Sequence, residues 1–119
     1  MQLPELAAAP PARPIEAVGI VAVRDDCSEA FLAGAPLDLT YAQRRLLLAL
    51  LRHRGRVVRR EELYESAFGR SLPRGSRAVD IHIGRIRRAL GPHSRAIVSM
   101  RPIGYRLDPS LLTTAASAR

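Results

Sequence analysis

Apolar positions change their spacing twice along this chain, and each change marks a new kind of element. Val18 to Arg24 (VGIVAVR) is a β-branched run that predicts a strand. Asp25 and Asp26 supply a turn, Glu29 to Ala33 predicts a second strand, and Gly34 a second turn. Pro36 to Leu39 predicts a short third strand, at an edge because proline cannot donate to a ladder. A small antiparallel sheet is therefore expected before any helix.

The period then lengthens. Thr40 and Gln43 form a T-x-x-Q capping box that opens a helix. Leu46 to Leu51 is nearly unbroken apolar sequence, so that helix is expected to be buried around much of its circumference. His53-Arg54-Gly55 ends it, with Gly55 as a left-handed cap. Val57 and Val58 cross to a second helix over about Arg59 to Phe68, with Leu63, Ala67 and Phe68 facing inward and Glu61 and Glu62 in the first turn, where acids are favoured. Gly69 to Gly75 reads as a loop.

A third helix is expected within Gly75 to Leu90 (GSRAVDIHIGRIRRAL), with Ser76 as its N-cap. At about 100° per residue, Val79, Ile83, Ile86 and Leu90 fall within about 60° of one another and form a core stripe. The opposite side holds Arg77, Ile81, Gly84, Arg85 and Arg88. Three guanidiniums around an exposed isoleucine suit a DNA major groove, where arginine reads guanine or phosphate and an apolar side chain touches a thymine methyl. An ordinary amphipathic helix with an arginine-rich wet side is the plainer alternative. Gly84 in mid-helix costs about 1 kcal/mol of propensity. Gly91-Pro92 stops the helix. Ala96 to Met100 and Gly104 to Leu107 predict a hairpin with Arg101-Pro102-Ile103 at its tip.

Charge sharpens this picture. The net charge is +8, but residues 1–38 carry −4, so the remainder carries +12. A basic half gathered near one helix suggests a polyanion partner. All 19 basic residues are Arg; the bias is chain-wide, so it marks no single site. Cys27 is the only cysteine and the three His are scattered, so no metal pattern and no cofactor are expected. No apolar run is long enough to span a membrane, and a reduced, cytoplasmic setting is expected. Paired carboxylates, a nucleophile elbow, a phosphate loop and a Cys/His dyad are all missing at meaningful spacings, which argues against an enzyme. Few exposed aromatics argue against RNA. Residues 1–17, rich in Ala and Pro at their start, read as a linker or arm, 18–108 as the folded domain, and 109–119 as a frayed tail.

Four blocks carry a resemblance: LT-x-x-Q at Leu39–Gln43, RVV-x-REEL at Arg56–Leu63, R-x-VDIHI-x-RIRRAL at Arg77–Leu90, and R-x-IGYRL at Arg101–Leu107. Together they resemble the C-terminal effector domain of OmpR/PhoB-type response regulators, proteins of two-component systems, over Val18 to Leu107. The resemblance implies an α+β winged helix-turn-helix: a four-stranded N-terminal antiparallel sheet, three helices and a C-terminal β-hairpin wing. It implies promoter binding as head-to-tail tandem copies on direct repeats of double-stranded DNA, with the third helix in the major groove and the wing in the minor groove. By position, Arg85 resembles the main base-reading arginine, with Ile81 beside it, and Arg101 the minor-groove arginine. Arg77, His82, Arg87, Arg88, Ser99 and Tyr105 resemble phosphate contacts, and Phe68 stands where the family often has Trp. His82 is alternatively a structural hydrogen-bonder and Tyr105 a core residue. The loop residues Arg70, Ser71, Leu72 and Arg74 resemble a segment that touches RNA polymerase, so a polymerase-binding module is the competing function. Asp80 is expected to order Arg77 or Arg87. Arg44 for an apolar residue, Arg59 for a Ser cap, Gly84 for a longer residue and Pro102 for Gly depart from the family pattern.

Overall fold

The first strand ends where its side chains must give way to a distant carbonyl. In the computed structural model, which describes residues 14–113, Gly19 adopts φ +58°. A Cβ there would lie 2.1 Å from the Leu112 carbonyl oxygen, which instead accepts a hydrogen bond from Ile20 N–H at 2.8 Å. Only glycine fits both demands. The run Val18–Arg24, expected as one strand, is consequently a hairpin: β1 (Ile15–Val18) pairs antiparallel with β2 (Val21–Arg24), Val18 opposite Val21. β1 thus occupies part of the span expected to be linker. β3 (Ala30–Leu32) and β4 (Ala35–Pro36) complete a four-stranded sheet in the order β1-β2-β3-β4. Val21 and Val23 are buried while Ala22 and Arg24 between and beyond them are not, which fixes the inner face.

Helix α1 (Tyr41–Arg52) begins with the expected capping box. Thr40 Oγ1 accepts from Gln43 N–H at 3.2 Å, and Gln43 Oε1 accepts from Thr40 N–H at 3.0 Å. Leu46 through Leu51 are all buried, because the sheet, the other two helices and the wing all pack on α1. Arg44, one of the departures, has a use here: its half-buried guanidinium donates to the Cys27 and Leu39 carbonyls and ties the sheet to α1. Arg54 (φ +47°) and Gly55 (φ +89°) turn the chain out of the helix.

Val58–Arg59 is a short strand, β5, not the plain crossover expected from sequence. Helix α2 (Arg60–Phe68) follows at once. Arg59 gives it no side-chain cap, and the first amide, Arg60 N–H, donates to the Ile103 carbonyl at 3.2 Å. The C-cap Gly69 is left-handed at φ +73°. Helix α3 (Ala78–Leu90) has Arg77 at its N-cap position, one residue beyond the expected Ser76. Ser76 Oγ still accepts the Ala78 amide at 3.2 Å, so the serine caps from outside. Val79, Ile83, Ile86 and Leu90 are buried, as their spacing required.

A 3-10 segment, Gly91–Ala96, leads into β6 (Ile97–Met100), and β7 (Gly104–Leu107) returns beside it. The second sheet has the order β5-β7-β6. Pro109–Leu112 then forms a 3-10 turn whose Leu112 is fully buried. The segment expected to fray from residue 109 therefore packs onto the β1–β2 turn, and burying one leucine is worth about 1.5–3 kcal/mol. The folded unit extends past 18–108 at both ends. The rest of the expected arm, 1–13, and tail, 114–119, lie outside the described residues. Three helices between a four-stranded sheet and a hairpin make this a winged helix-turn-helix of the α+β class. No helix among the described residues is long and apolar enough to cross a membrane.

Candidate nucleic-acid interface

One face of α3 is left uncovered by every other element. Arg77, Ile81, Gly84, Arg85 and Arg88 are exposed, Ile81 by 56%. Beyond its chain neighbours and the helix's own backbone, no heavy atom lies within 4 Å of where a Gly84 Cβ would stand. The face carries cations, a methyl-rich side chain and a gap, and no carboxylate.

Asp80, the acid on this helix, is turned aside. It accepts a hydrogen bond from the Tyr105 hydroxyl and forms an ion pair with Arg60 Nη2. Its expected partner, Arg77 or Arg87, is therefore replaced by the first residue of α2. The three groups join α2, α3 and β7, and the negative charge is neutralised beside the interface. Tyr105 is buried, and burial together with the bond to Asp80 raises its pKa, so its proton stays in place. The structure thus places Tyr105 in the core, its hydroxyl directed at Asp80, as the second of its two expected roles had it.

Arg87 is likewise committed. Nε and Nη2 donate to the Ile97 carbonyl at 3.2 and 2.7 Å, and Nη2 to Ser99 Oγ at 3.0 Å. Its guanidinium lies 5.6 Å from the centre of the Tyr105 ring. Arginine's fixed fork suits such bracing, and Arg87 acts as a strut between α3 and the wing. At the wing tip Arg101, Pro102 and Ile103 are all exposed, and the Arg101–Pro102 peptide is cis. Gly104 begins β7. Its φ is ordinary, and glycine is required because a Cβ would fall 2.0 Å from the Val58 carbonyl oxygen.

Between α3 and the wing lies a cleft of about 500 Å³, with Ser76, Arg77, Asp80 and Arg87 lining the helix side and Ser99, Arg101 and Tyr105 the wing side; Arg60, which pairs with Asp80, lines it too. A second hollow of about 420 Å³ runs beside Thr40, Gln43, Arg85 and Arg88 at the start of α1. His82 borders α1 and α2: Gln43 Nε2 is 3.1 Å from its Nδ1, and the Phe68 ring centre is 5.5 Å away. Burial, then the charge of Arg85, lowers its pKa and so disfavours the charged ring. In the α2–α3 loop, Arg70, Ser71 and Arg74 are exposed and Leu72 packs partly against the core. The structure thus gathers Arg77, Ile81, Arg85, Arg88 and Arg101 on open surface, and holds His82, Arg87, Ser99 and Tyr105 in hydrogen-bonded positions. Gln43 and Arg60 were missed as interface supports. Their partners lie 39 and 20 residues away, and no local pattern signals such contacts.

A family model described as "Transcriptional regulatory protein, C terminal" matches residues 34–107. The phosphate regulon transcriptional regulatory protein PhoB of Escherichia coli is 36% identical over 87 residues, 71% of this chain and 38% of that protein. The chain therefore spans well under half the length of such relatives. The crystal structure of the DNA binding domain of CpxR from E. coli superposes with a TM-score of 0.69 at 32% identity, covering 79% of this chain and 95% of that one. Thermotoga maritima DrrB, an OmpR/PhoB homolog, gives 0.64 at 28% identity, covering 78% of this chain and 43% of its own. The chain belongs to the family of C-terminal domains of OmpR/PhoB-type transcriptional regulatory proteins.

Proposed function

We propose that this domain binds double-stranded DNA sequence-specifically as the effector part of a cytoplasmic transcriptional regulator. The carrying observation is the α3 face: Arg77, Ile81, Arg85 and Arg88 exposed around an open Gly84, with Asp80 neutralised off it. In this reading α3 enters the major groove. Arg85 reads a base edge, Ile81 meets a thymine methyl, and Arg77, Arg88 and His82 hold phosphates. The α3–wing cleft takes the backbone between grooves, and Arg101 enters the adjacent minor groove. Arg87, Ser99 and Tyr105 hold the wing at its angle; Arg87 keeps Nη1 for a phosphate. Similarity to the DNA binding domain of CpxR supports the reading. Tandem head-to-tail copies on direct repeats follow from the family resemblance. The polymerase reading of Arg70, Ser71, Leu72 and Arg74 rests on that resemblance alone, and the geometry adds nothing to it.

Selection of bound sequences from random duplex DNA tests the proposal. Enrichment of a repeated motif, with affinity falling steeply between 50 and 200 mM salt, is expected; about six to ten neutralised phosphates would cost roughly 10³–10⁵ over that range. No enrichment and a flat salt response would refute it.

A further inference from the structure

Gln43 is only 4% exposed, and both ends of its amide are engaged. Oε1 accepts Thr40 N–H at 3.0 Å, which fixes the oxygen end of the amide. The NH₂ end therefore faces His82 Nδ1, 3.1 Å away. An amide NH₂ only donates, so Nδ1 is the bare acceptor nitrogen, and a neutral ring then carries its proton on Nε2. Nε2 makes no hydrogen bond among the described residues. It is not buried either, since the one buried and unpartnered side-chain nitrogen or oxygen among them is His93 Nδ1.

We propose that Gln43, held by the α1 capping box, is the positioning residue that makes His82 a neutral Nε2–H donor for a DNA phosphate. This rests on the DNA-binding reading above. Its consequence is a donor that does not depend on protonation. A histidinium would lose its charge as pH rises through its pKa, whereas a neutral Nε2–H persists at pH 8. The lowered pKa of His82 agrees with this. The charged group acting on the ring is Arg85, on its own helix; α1 and α2 turn the uncharged Gln43 and Phe68 toward it.

Gln43→Glu separates capping from positioning. Glutamate also closes a T-x-x-E capping box, so α1 keeps its start. Its second carboxylate oxygen only accepts, so Nδ1 must now carry a proton. At pH 8 the neutral ring then presents a bare Nε2 lone pair to the phosphate. As pH falls the ring protonates, helped by the adjacent carboxylate, and Nε2–H returns.

The test uses the full chain labelled with ¹⁵N-histidine. Long-range ¹H–¹⁵N spectra of the free protein at pH 8 show which ring nitrogen of His82 is protonated. Titrations of a selected duplex at pH 6 and 8 give the affinity. We expect Nε2–H in the wild type and Nδ1–H in Gln43→Glu. The variant should lose on the order of tenfold in affinity at pH 8, the scale of one hydrogen bond to a charged group, and recover most of it at pH 6. An Nδ1–H wild type overturns the proposal without any variant. A variant that switches tautomer yet binds like wild type at pH 8 overturns the role at DNA. A loss equal at both pH values is repulsion by the added carboxylate and also overturns it. If the wild type binds no duplex, the DNA-binding reading falls, and the spectrum still decides the tautomer.

Discussion

Gly84→Ala should move stability and DNA affinity in opposite directions. Gly84 is in the middle of α3, its φ is ordinary, and an added Cβ meets nothing within 4 Å beyond its chain neighbours and the helix's own backbone. The methyl therefore causes no clash in the free protein. Alanine also restricts the unfolded chain and favours the helix, which stabilises by about 0.5–1 kcal/mol. For a domain of this size each kcal/mol shifts Tm by roughly 4–8 °C, so a rise of about 2–8 °C is expected. On DNA the sign reverses. If the gap between Ile81, Arg85 and Arg88 admits the edge of a base or the sugar-phosphate backbone, a methyl there overpacks a fitted contact, at about 1–3 kcal/mol. Thermal melts and titrations of a selected duplex, on the same preparations, read both numbers. A lower Tm would refute the open environment of Gly84. An unchanged affinity with a raised Tm would refute close approach of DNA at that point.

Gly104→Ala should do the reverse and damage the fold, because its Cβ would lie 2.0 Å from the Val58 carbonyl; β5 and β7 must separate, and urea denaturation should show a loss of at least about 1–3 kcal/mol. Arg101→Ala should weaken binding most on probes whose flank is A·T-rich, since narrow minor grooves attract an inserted arginine; equal loss on matched G·C-rich probes would make Arg101 a plain phosphate contact. Cys27 is buried and its thiol pKa is raised, first by that burial, so alkylation at pH 8 should be slow and should accelerate with urea along the unfolding curve; rapid reaction of the native protein would contradict its placement.

What the sequence made legible was local. The Thr40–Gln43 box and the Val79–Leu90 stripe depend on spacing within one helix, and both stand in the structure. The Gly19 turn was hidden because β-branched residues surround it and its cause is the Leu112 carbonyl, 93 residues away in sequence. β5 was hidden because two residues carry no period, and its reality lies in pairing with Tyr105 and Gly104. The same limit applies to the interface. Exposed Arg77, Ile81, Arg85 and Arg88 follow from helical phase. The commitments of Asp80 to Arg60, of Arg87 to the wing, of His82 to Gln43 and of Tyr105 to Asp80 are tertiary, and no spacing within one element signals them.

The central claim is that the exposed face of α3 reads base sequence through Arg85. The most direct measurement is the affinity of wild type and Arg85→Ala on a selected site and on a panel with each base pair changed in turn. The account predicts a loss of about 1–3 kcal/mol on the selected site. It also predicts that one base change, already costly to the wild type, costs the variant little more. Equal losses for Arg85→Ala on every sequence would make Arg85 a phosphate contact and contradict the claim.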